Sequence, residues 1–174
     1  MSNPIVLVLV RLLHIIAGVF WVGSILFVAR FLLPTVAALG PAPRPVMDHI
    51  TRVRRMPQVL LGAGALSVLS GLALYWRDSM GFQPAWMQSP PGMVFGVGAV
   101  LAIVAIVIGL TVNAPTAKRL GMVMAAAQGS GGPPSPEQTA EMRALQARLG
   151  NALRAVAVLL FLATAAMAIA RYVS

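Results

Sequence analysis

Apolar residues run along this chain in four long blocks, at about 5–29, 57–76, 92–113 and 153–171, separated by stretches where arginine, proline and polar side chains gather. A helix needs roughly 20 predominantly apolar residues to cross the hydrocarbon core of a bilayer, and each block is about that long. The pattern predicts an all-α protein: one integral membrane domain, residues 1–174, folded as a four-transmembrane-helix bundle. Asn3 followed by Pro4 reads as an N-cap with proline at the first helical position. With no side-chain charge in Met1–Asn3 and a long apolar run behind them, the first block reads as an uncleaved span and not a signal peptide.

The spans do not account for every helical signal. Ser135, Pro136 and Gln138 form a capping-box pattern, so the last helix is expected to start near 136, about 17 residues before its membrane segment. That is roughly 25 Å of helix outside the bilayer. Met142, Leu145 and Leu149 repeat at helical spacing there and are expected to pack on an extension of the third helix past Pro115. The cluster GSGGPPSP at 129–136 marks the turn between them. Helix 2 is expected to begin before Pro57, with Asp48 and Arg52 paired at i, i+4. Gly62, Gly64, Ser67 and Gly71 in the second span, and Gly96, Gly98 and Gly109 in the third, read as close-packing faces. Spans 1–2 and 3–4 are hairpins of the same orientation, so inverted repeats are not indicated.

Charge sets the direction. Arg44, Arg52, Arg54 and Arg55 follow the first span, with Arg30 at its edge, while Lys118, Arg119, Arg143 and Arg148 follow the third, with Arg154 at the edge. The other side holds only Arg77 and Arg171. The positive-inside rule then makes both basic connections cytoplasmic and gives N-out/C-out, with cytoplasmic helical extensions of helices 3 and 4. Tyr75, Trp76, Trp86 and Tyr172 fall near the outer boundary as an aromatic belt. The net charge of +9, from 13 Lys and Arg against 4 Asp and Glu, is therefore mostly topogenic and does not call for nucleic acid. With 59% apolar and 10% charged residues, the composition excludes an ordinary soluble domain, in which roughly 25% are charged. The expected setting is a bacterial inner membrane, with the lipid bilayer as partner and the chain either a homo-oligomer or a subunit of a larger membrane complex.

The chemistry available is narrow. Without cysteine there is no disulfide, thiolate metal site or cysteine nucleophile. No Asp or Glu lies inside a span, which removes paired-carboxylate catalysis and a carboxylate proton relay. There is no HExxH, P-loop or dinucleotide fingerprint, and Gly23-Ser24-Ile25 lacks the nucleophile-elbow pattern. Attention falls on span 1, where Arg11, His14, Gly18 and Trp21, spaced 3, 4 and 3, form one helical stripe. Counted from Pro4, His14 lies roughly 15 Å into the membrane, near its midplane. An ionisable residue at that depth is a functional hypothesis by default.

Two readings of the stripe stand side by side. In one it binds a b-type haem or porphyrin: His14 ligates the iron, Gly18 leaves a hollow for the flat ring, Trp21 closes it, and Arg11 pairs a propionate. In the other, His14 hydrogen-bonds a neighbouring helix, Arg11 snorkels to the interface and Gly18 is a packing notch. Copper or a quinone is a further option. His49 reads as a solvated side chain on the wrong side of half the bilayer to share a metal with His14. A second haem ligand within one chain falls to Met167 alone, expected several ångströms outward; two chains sharing a haem through two copies of His14 remove that difficulty, as does a five-coordinate or loosely held cofactor.

Residues 11–30, RLLHIIAGVFWVGSILFVAR, carry the arrangement H-x6-W-x8-R through His14, Trp21 and Arg30. This resembles the first helix of a superfamily of small membrane bundles that includes copper-resistance D-type proteins, the membrane domain of some urate oxidases, HemJ-type protoporphyrinogen oxidases and integral membrane proteins without assigned function. The stretches at 52–76 and 113–120 (NAPTAKRL) look most like the unassigned members. The HemJ-type resemblance implies haem binding by a helix-1 histidine, matched by His14, and a lysine in a later span. The single lysine, Lys118, lies beyond span 3, so that second match is missing. The copper-resistance branch implies copper handling, for which this chain offers one membrane-depth histidine and no Met-x-x-Met ladder. The function expected from the whole is a single-histidine intramembrane site within a redox, electron-transfer assembly. The alternative is a non-catalytic accessory or scaffold subunit.

Overall fold

A computed structural model describes residues 3–39, 44–129 and 133–173. Four long helices, Pro4–Leu39, Met56–Asp78, Pro90–Gly129 and Pro136–Tyr172, are each long and apolar enough to cross a membrane, and are called spans 1 to 4 below. Among the described residues there is no strand. Shorter helical pieces, Arg44–Asp48 with His49–Val53 and then Pro84–Met87, precede spans 2 and 3.

Local chemistry explains where the spans begin. Asn3 Oδ1 accepts from the Ile5 amide at 2.9 Å, and Pro4 opens span 1. Ser89 caps span 3, its Oγ accepting from the Gly92 amide at 3.3 Å. The Ser135–Gln138 capping box is complete, with Gln138 N–H donating to Ser135 Oγ at 3.2 Å and Ser135 N–H donating to Gln138 Oε1 at 2.9 Å. Span 2 departs from expectation. Asp48 and Arg52 do pair, at 3.2 Å, but the helix does not continue through to Pro57. Pro57 has no amide to give to the carbonyl four residues back. The chain stops at Arg54 and turns through Arg55, which has a left-handed φ of 50°. It then restarts at Met56.

The helices associate as two antiparallel pairs, span 1 with span 2 and span 3 with span 4. Small residues set both contacts, as expected where the solvent is itself apolar. Trp21 lies on Gly64, Gly18 faces Ser67, and His14 lies on Gly71, while Gly98 admits Ala163 and Met167. Gly62 and Gly109 meet nothing within 4 Å, so these two are not packing positions within the chain. The pairs join around Trp21, Ile25, Leu60, Ala105, Val156, Ala157 and Leu160, a cluster drawn from all four spans. At the other end Tyr75 donates to the Gly92 carbonyl at 3.2 Å and lies against Gly96 and edge-on to Trp86. Only 11% of the most apolar stretch of spans 1 and 3, and 22% of that of spans 2 and 4, is buried inside the chain. The remaining apolar surface requires lipid or other protein around it.

The extensions of spans 3 and 4 form the expected outer hairpin. Val123, Ala127 and Thr116 are buried along it, Met142, Leu145 and Leu149 are half-buried, and Arg119 Nε meets Glu141 Oε1 at 2.7 Å. Residues 130–132 of the predicted turn lie outside the described residues. One feature was not expected: wide π-helical turns at Val28–Leu32 and Gly109–Asn113, each ending two residues before a Pro-Thr pair, Pro34-Thr35 and Pro115-Thr116. Proline removes one amide and crowds the carbonyl four residues earlier, and a widened turn absorbs both. Both turns pack against span 4.

Candidate functional site

The seam between spans 1 and 2 has a simple register. Trp21, Gly18 and His14 are separated by 3 and 4 residues, and so are Gly64, Ser67 and Gly71 on the antiparallel partner. Each bulky group on span 1 therefore meets a small one on span 2, one turn after another. A Cβ at Gly64 would stand 2.7 Å from Trp21 Cε2, and one at Gly71 would stand 2.8 Å from His14 Cε1. His14 is 11 residues into span 1, and Gly71 and Ser67 are 7 and 11 residues from the C-terminal end of span 2 at Asp78. At 1.5 Å per residue both helices put the imidazole roughly 10–17 Å from that end of the helix pair.

His14 Nδ1 lies 2.8 Å from the carbonyl oxygen of Ser67. A carbonyl only accepts, so Nδ1 carries the proton, and in the neutral ring Nε2 is left with a bare lone pair. The same carbonyl also accepts from Ser70 Oγ at 3.1 Å. Among the described residues Nε2 has no hydrogen-bond partner. The one fully buried side-chain atom lacking a partner among them is Asn113 Oδ1. Nε2 is therefore an oriented acceptor that the described residues leave unpaired.

The other members of the predicted stripe have different surroundings. Trp21 is buried on Gly64. Gly18 opens no hollow, because Ser67 Oγ is 3.2 Å from where its Cβ would be. Arg11 is half-buried one turn outward of His14 and has no carboxylate partner among the described residues. His49 is exposed in the turn before span 2, as expected of a solvated side chain. Met167, the conceivable second haem ligand, directs Cγ and Cε onto Gly98 of span 3. The described residues contain no group of three His, Cys, Asp or Glu side chains able to hold a metal ion. Among the described residues one cleft lies beside Arg77, Trp86 and Arg171 and another along spans 1 and 2 near Arg54. Neither is lined by Arg11, His14, Gly18 or Trp21.

Sequence reasoning marked Ser67 and Gly71 as packing residues without joining them to His14, although the matched 3, 4 spacings carry that signal. It missed Asn113, whose signal was an amide side chain just ahead of a proline in an apolar run. Compared with protein-family models, with curated proteins and with solved structures, the chain matches none. The geometry must carry the functional reading.

A porphyrin was tested against these residues. His14 supplies a correctly prepared ligand atom and Arg11 an uncommitted cation. The cradle fails, because Ser67 and Gly64 already occupy the space beside Gly18 and Trp21. The residues of one chain thus fit the axial bond and not the plane of the ring.

Proposed function

We propose that this multi-pass membrane protein presents His14 Nε2 as the axial ligand of a b-type haem or related porphyrin completed by a second copy or a partner subunit. The observation that carries the reading is the Nδ1–Ser67 bond, which fixes the tautomer and leaves Nε2 without a partner among the described residues. Metal-ligating histidines usually donate their other nitrogen in this way, which sets ring orientation and raises ligand basicity. In this reading Ser67 holds the proton on Nδ1, Gly71 gives the ring its seat, and Arg11 offers its charge to an anionic substituent. A bound haem would supply one-electron chemistry, consistent with a place in a redox assembly. The resemblance of residues 11–30 to copper-resistance D and HemJ-type helices, and a bacterial inner-membrane setting, belong to the same proposal.

A second reading rests on the closeness of the seam. His14 is then an interhelical tie, and the chain is a non-catalytic subunit packed in a larger complex. Copper handling has one histidine nitrogen to build on and ranks below both. The decisive experiment expresses wild type, His14→Ala and Arg11→Gln under haem-replete conditions at matched membrane levels. Reduced-minus-oxidised spectra are then compared per mole of protein. The haem reading expects near-stoichiometric haem in wild type, strong loss in H14A, and in R11Q retained haem with weaker binding and a shifted midpoint. Wild-type haem content in H14A, or colourless wild type, overturns it. Colourless protein that co-purifies with a membrane complex establishes the second reading instead.

A further inference from the structure

Toward the basic end, the surfaces of spans 1 and 2 leave a cleft of about 390 Å³, within the roughly 300–1,000 Å³ typical of small-molecule sites. Its walls are apolar, with Phe20, Gly23 and Phe27 from span 1 and Val59 from span 2, and Arg54 is the one charged residue in its lining. Phe20, Phe27 and Val59 are exposed within the chain, so the cleft opens outward to the bilayer and not into the bundle. Arg54 ends the segment before span 2, and Arg55 follows it in left-handed backbone at the helix start.

We propose that this cleft binds an anionic phospholipid, an acyl chain lying between Phe20, Phe27 and Val59 and the headgroup phosphate meeting Arg54 and Arg55. The chain has four Asp and Glu side chains, and among the described residues none pairs with these arginines. Asp48 pairs with Arg52, Asp78 with Arg77, Glu141 with Arg119, and Glu137 accepts from Ser135. Arg54 and Arg55 are exposed and open to an anion from outside the chain. Arg30, exposed three residues past Phe27 on span 1, is likewise without a carboxylate. A start of a helix adds partial positive charge at the same place. An apolar wall ending in guanidinium groups at the membrane boundary matches a lipid with a negative headgroup. It does not match a free anion, which gains nothing from Phe20 or Val59, nor an uncharged partner helix, which leaves the arginines unanswered.

The test uses full-length protein in mild detergent, offered equal amounts of phosphatidylglycerol and phosphatidylcholine with identical acyl chains, with retained lipid read by native mass spectrometry. Wild type should keep phosphatidylglycerol at least several-fold over phosphatidylcholine. Arg54→Gln/Arg55→Gln should bring the ratio close to one, whereas Arg143→Gln, on the exposed outer hairpin, should leave it unchanged. Gly23→Leu fills the cleft from a position where a Cβ meets nothing within 4 Å, and should lower retention of both lipids with helicity preserved. If the double variant fails to fold, Gly23→Leu decides alone. Equal retention by wild type, an unchanged ratio in R54Q/R55Q, full retention in Gly23→Leu, displacement by inorganic phosphate, or a bound protein in place of lipid each overturns the proposal.

Discussion

One carbon added at Gly71 tests whether the imidazole is seated on span 2. The new Cβ would stand 2.8 Å from His14 Cε1 and 3.1 Å from Nδ1, where ordinary contacts between non-bonded heavy atoms sit near 3.5–4.0 Å. The ring must retreat by about 0.7 Å or more to reach that range, and the 2.8 Å bond to Ser67 stretches with it. Overpacking of this kind costs about 1–3 kcal/mol, and loss of one interhelical hydrogen bond in a membrane about 0.6–1.7 kcal/mol. Gly62→Ala is the reference, since it carries the same propensity change, up to about 1 kcal/mol in favour of the helix, with nothing within 4 Å to strike. Reversible unfolding in mixed micelles should find Gly62→Ala neutral to mildly stabilising and Gly71→Ala clearly destabilising. His14→Ala removes the atoms that clash, so the double variant should cost little more than His14→Ala alone, a coupling of about 1–3 kcal/mol. Additivity within about 0.5 kcal/mol would refute the contact, and the tautomer assignment would go with it. If His14 also holds a porphyrin, Gly71→Ala should reduce its content in parallel.

Two further outcomes are expected. The positive-inside pattern places the outer hairpin in the cytoplasm, so with no native cysteine to interfere, a cysteine at exposed Gln88 should react with an impermeant thiol reagent in intact cells and one at exposed Gln146 should not; the reverse result inverts the topology. At the start of span 4, the Ser135 hydroxyl donating at 2.7 Å, and a backbone hydrogen bond after it, hold the Glu137 carboxyl below its ordinary value near 4.5. A lowered native pKa means that the contribution is complete above the ordinary carboxylate range and fades as pH falls through the lowered value. Amide exchange at residues 137–139 should therefore speed up at acid pH beyond its intrinsic pH dependence, modestly because the group is exposed, and Glu137→Gln should remove that excess. An undiminished excess in Glu137→Gln would show that another group governs the fraying.

Much of the fold was legible because membrane helices advertise themselves by length and apolarity, and their starts by short-range chemistry. Asn3-Pro4 and the Ser135–Gln138 box needed no tertiary information. The break at Arg55 and the π turns before Pro34 and Pro115 were not legible. Proline announces a disturbance in the backbone, but whether the chain kinks, widens or restarts depends on what packs beside it. The site divided the same way. Helical spacing brings Arg11, His14, Gly18 and Trp21 onto one face, and they do share it. Periodicity within one helix is silent about the facing helix, so Gly18 read as a vacancy when Ser67 fills it. The answer lay in a second pattern, Gly64, Ser67 and Gly71, with the spacings of His14, Gly18 and Trp21 in reverse order, which acquires meaning only when the two helices are set antiparallel.

Both functional readings meet one physical demand. If the four spans lie in a bilayer, an acceptor such as Nε2, with no partner among the described residues, faces hydrocarbon unless something else is there, and an unmet polar group in that setting costs about 1–3 kcal/mol. Packing alone does not account for histidine at position 14, because Nδ1 contributes one hydrogen bond and Nε2 then stands as a liability. A group outside the chain resolves the imbalance, either an iron taking the lone pair or a donor from a neighbouring helix giving it a proton. With so little of spans 1 and 3 buried within the chain, apolar surface remains for such a neighbour to cover. Two copies of His14 would each offer a nitrogen to a porphyrin, which would supply one-electron chemistry, and would need no second ligand from within the chain, which Met167, turned onto Gly98, is badly placed to give. The haem proposal is accordingly also an assembly proposal: haem content and the contact with the second copy or partner subunit should be lost together in H14A, whereas a hydrogen-bonded scaffold would lose the contact and leave no spectrum to lose.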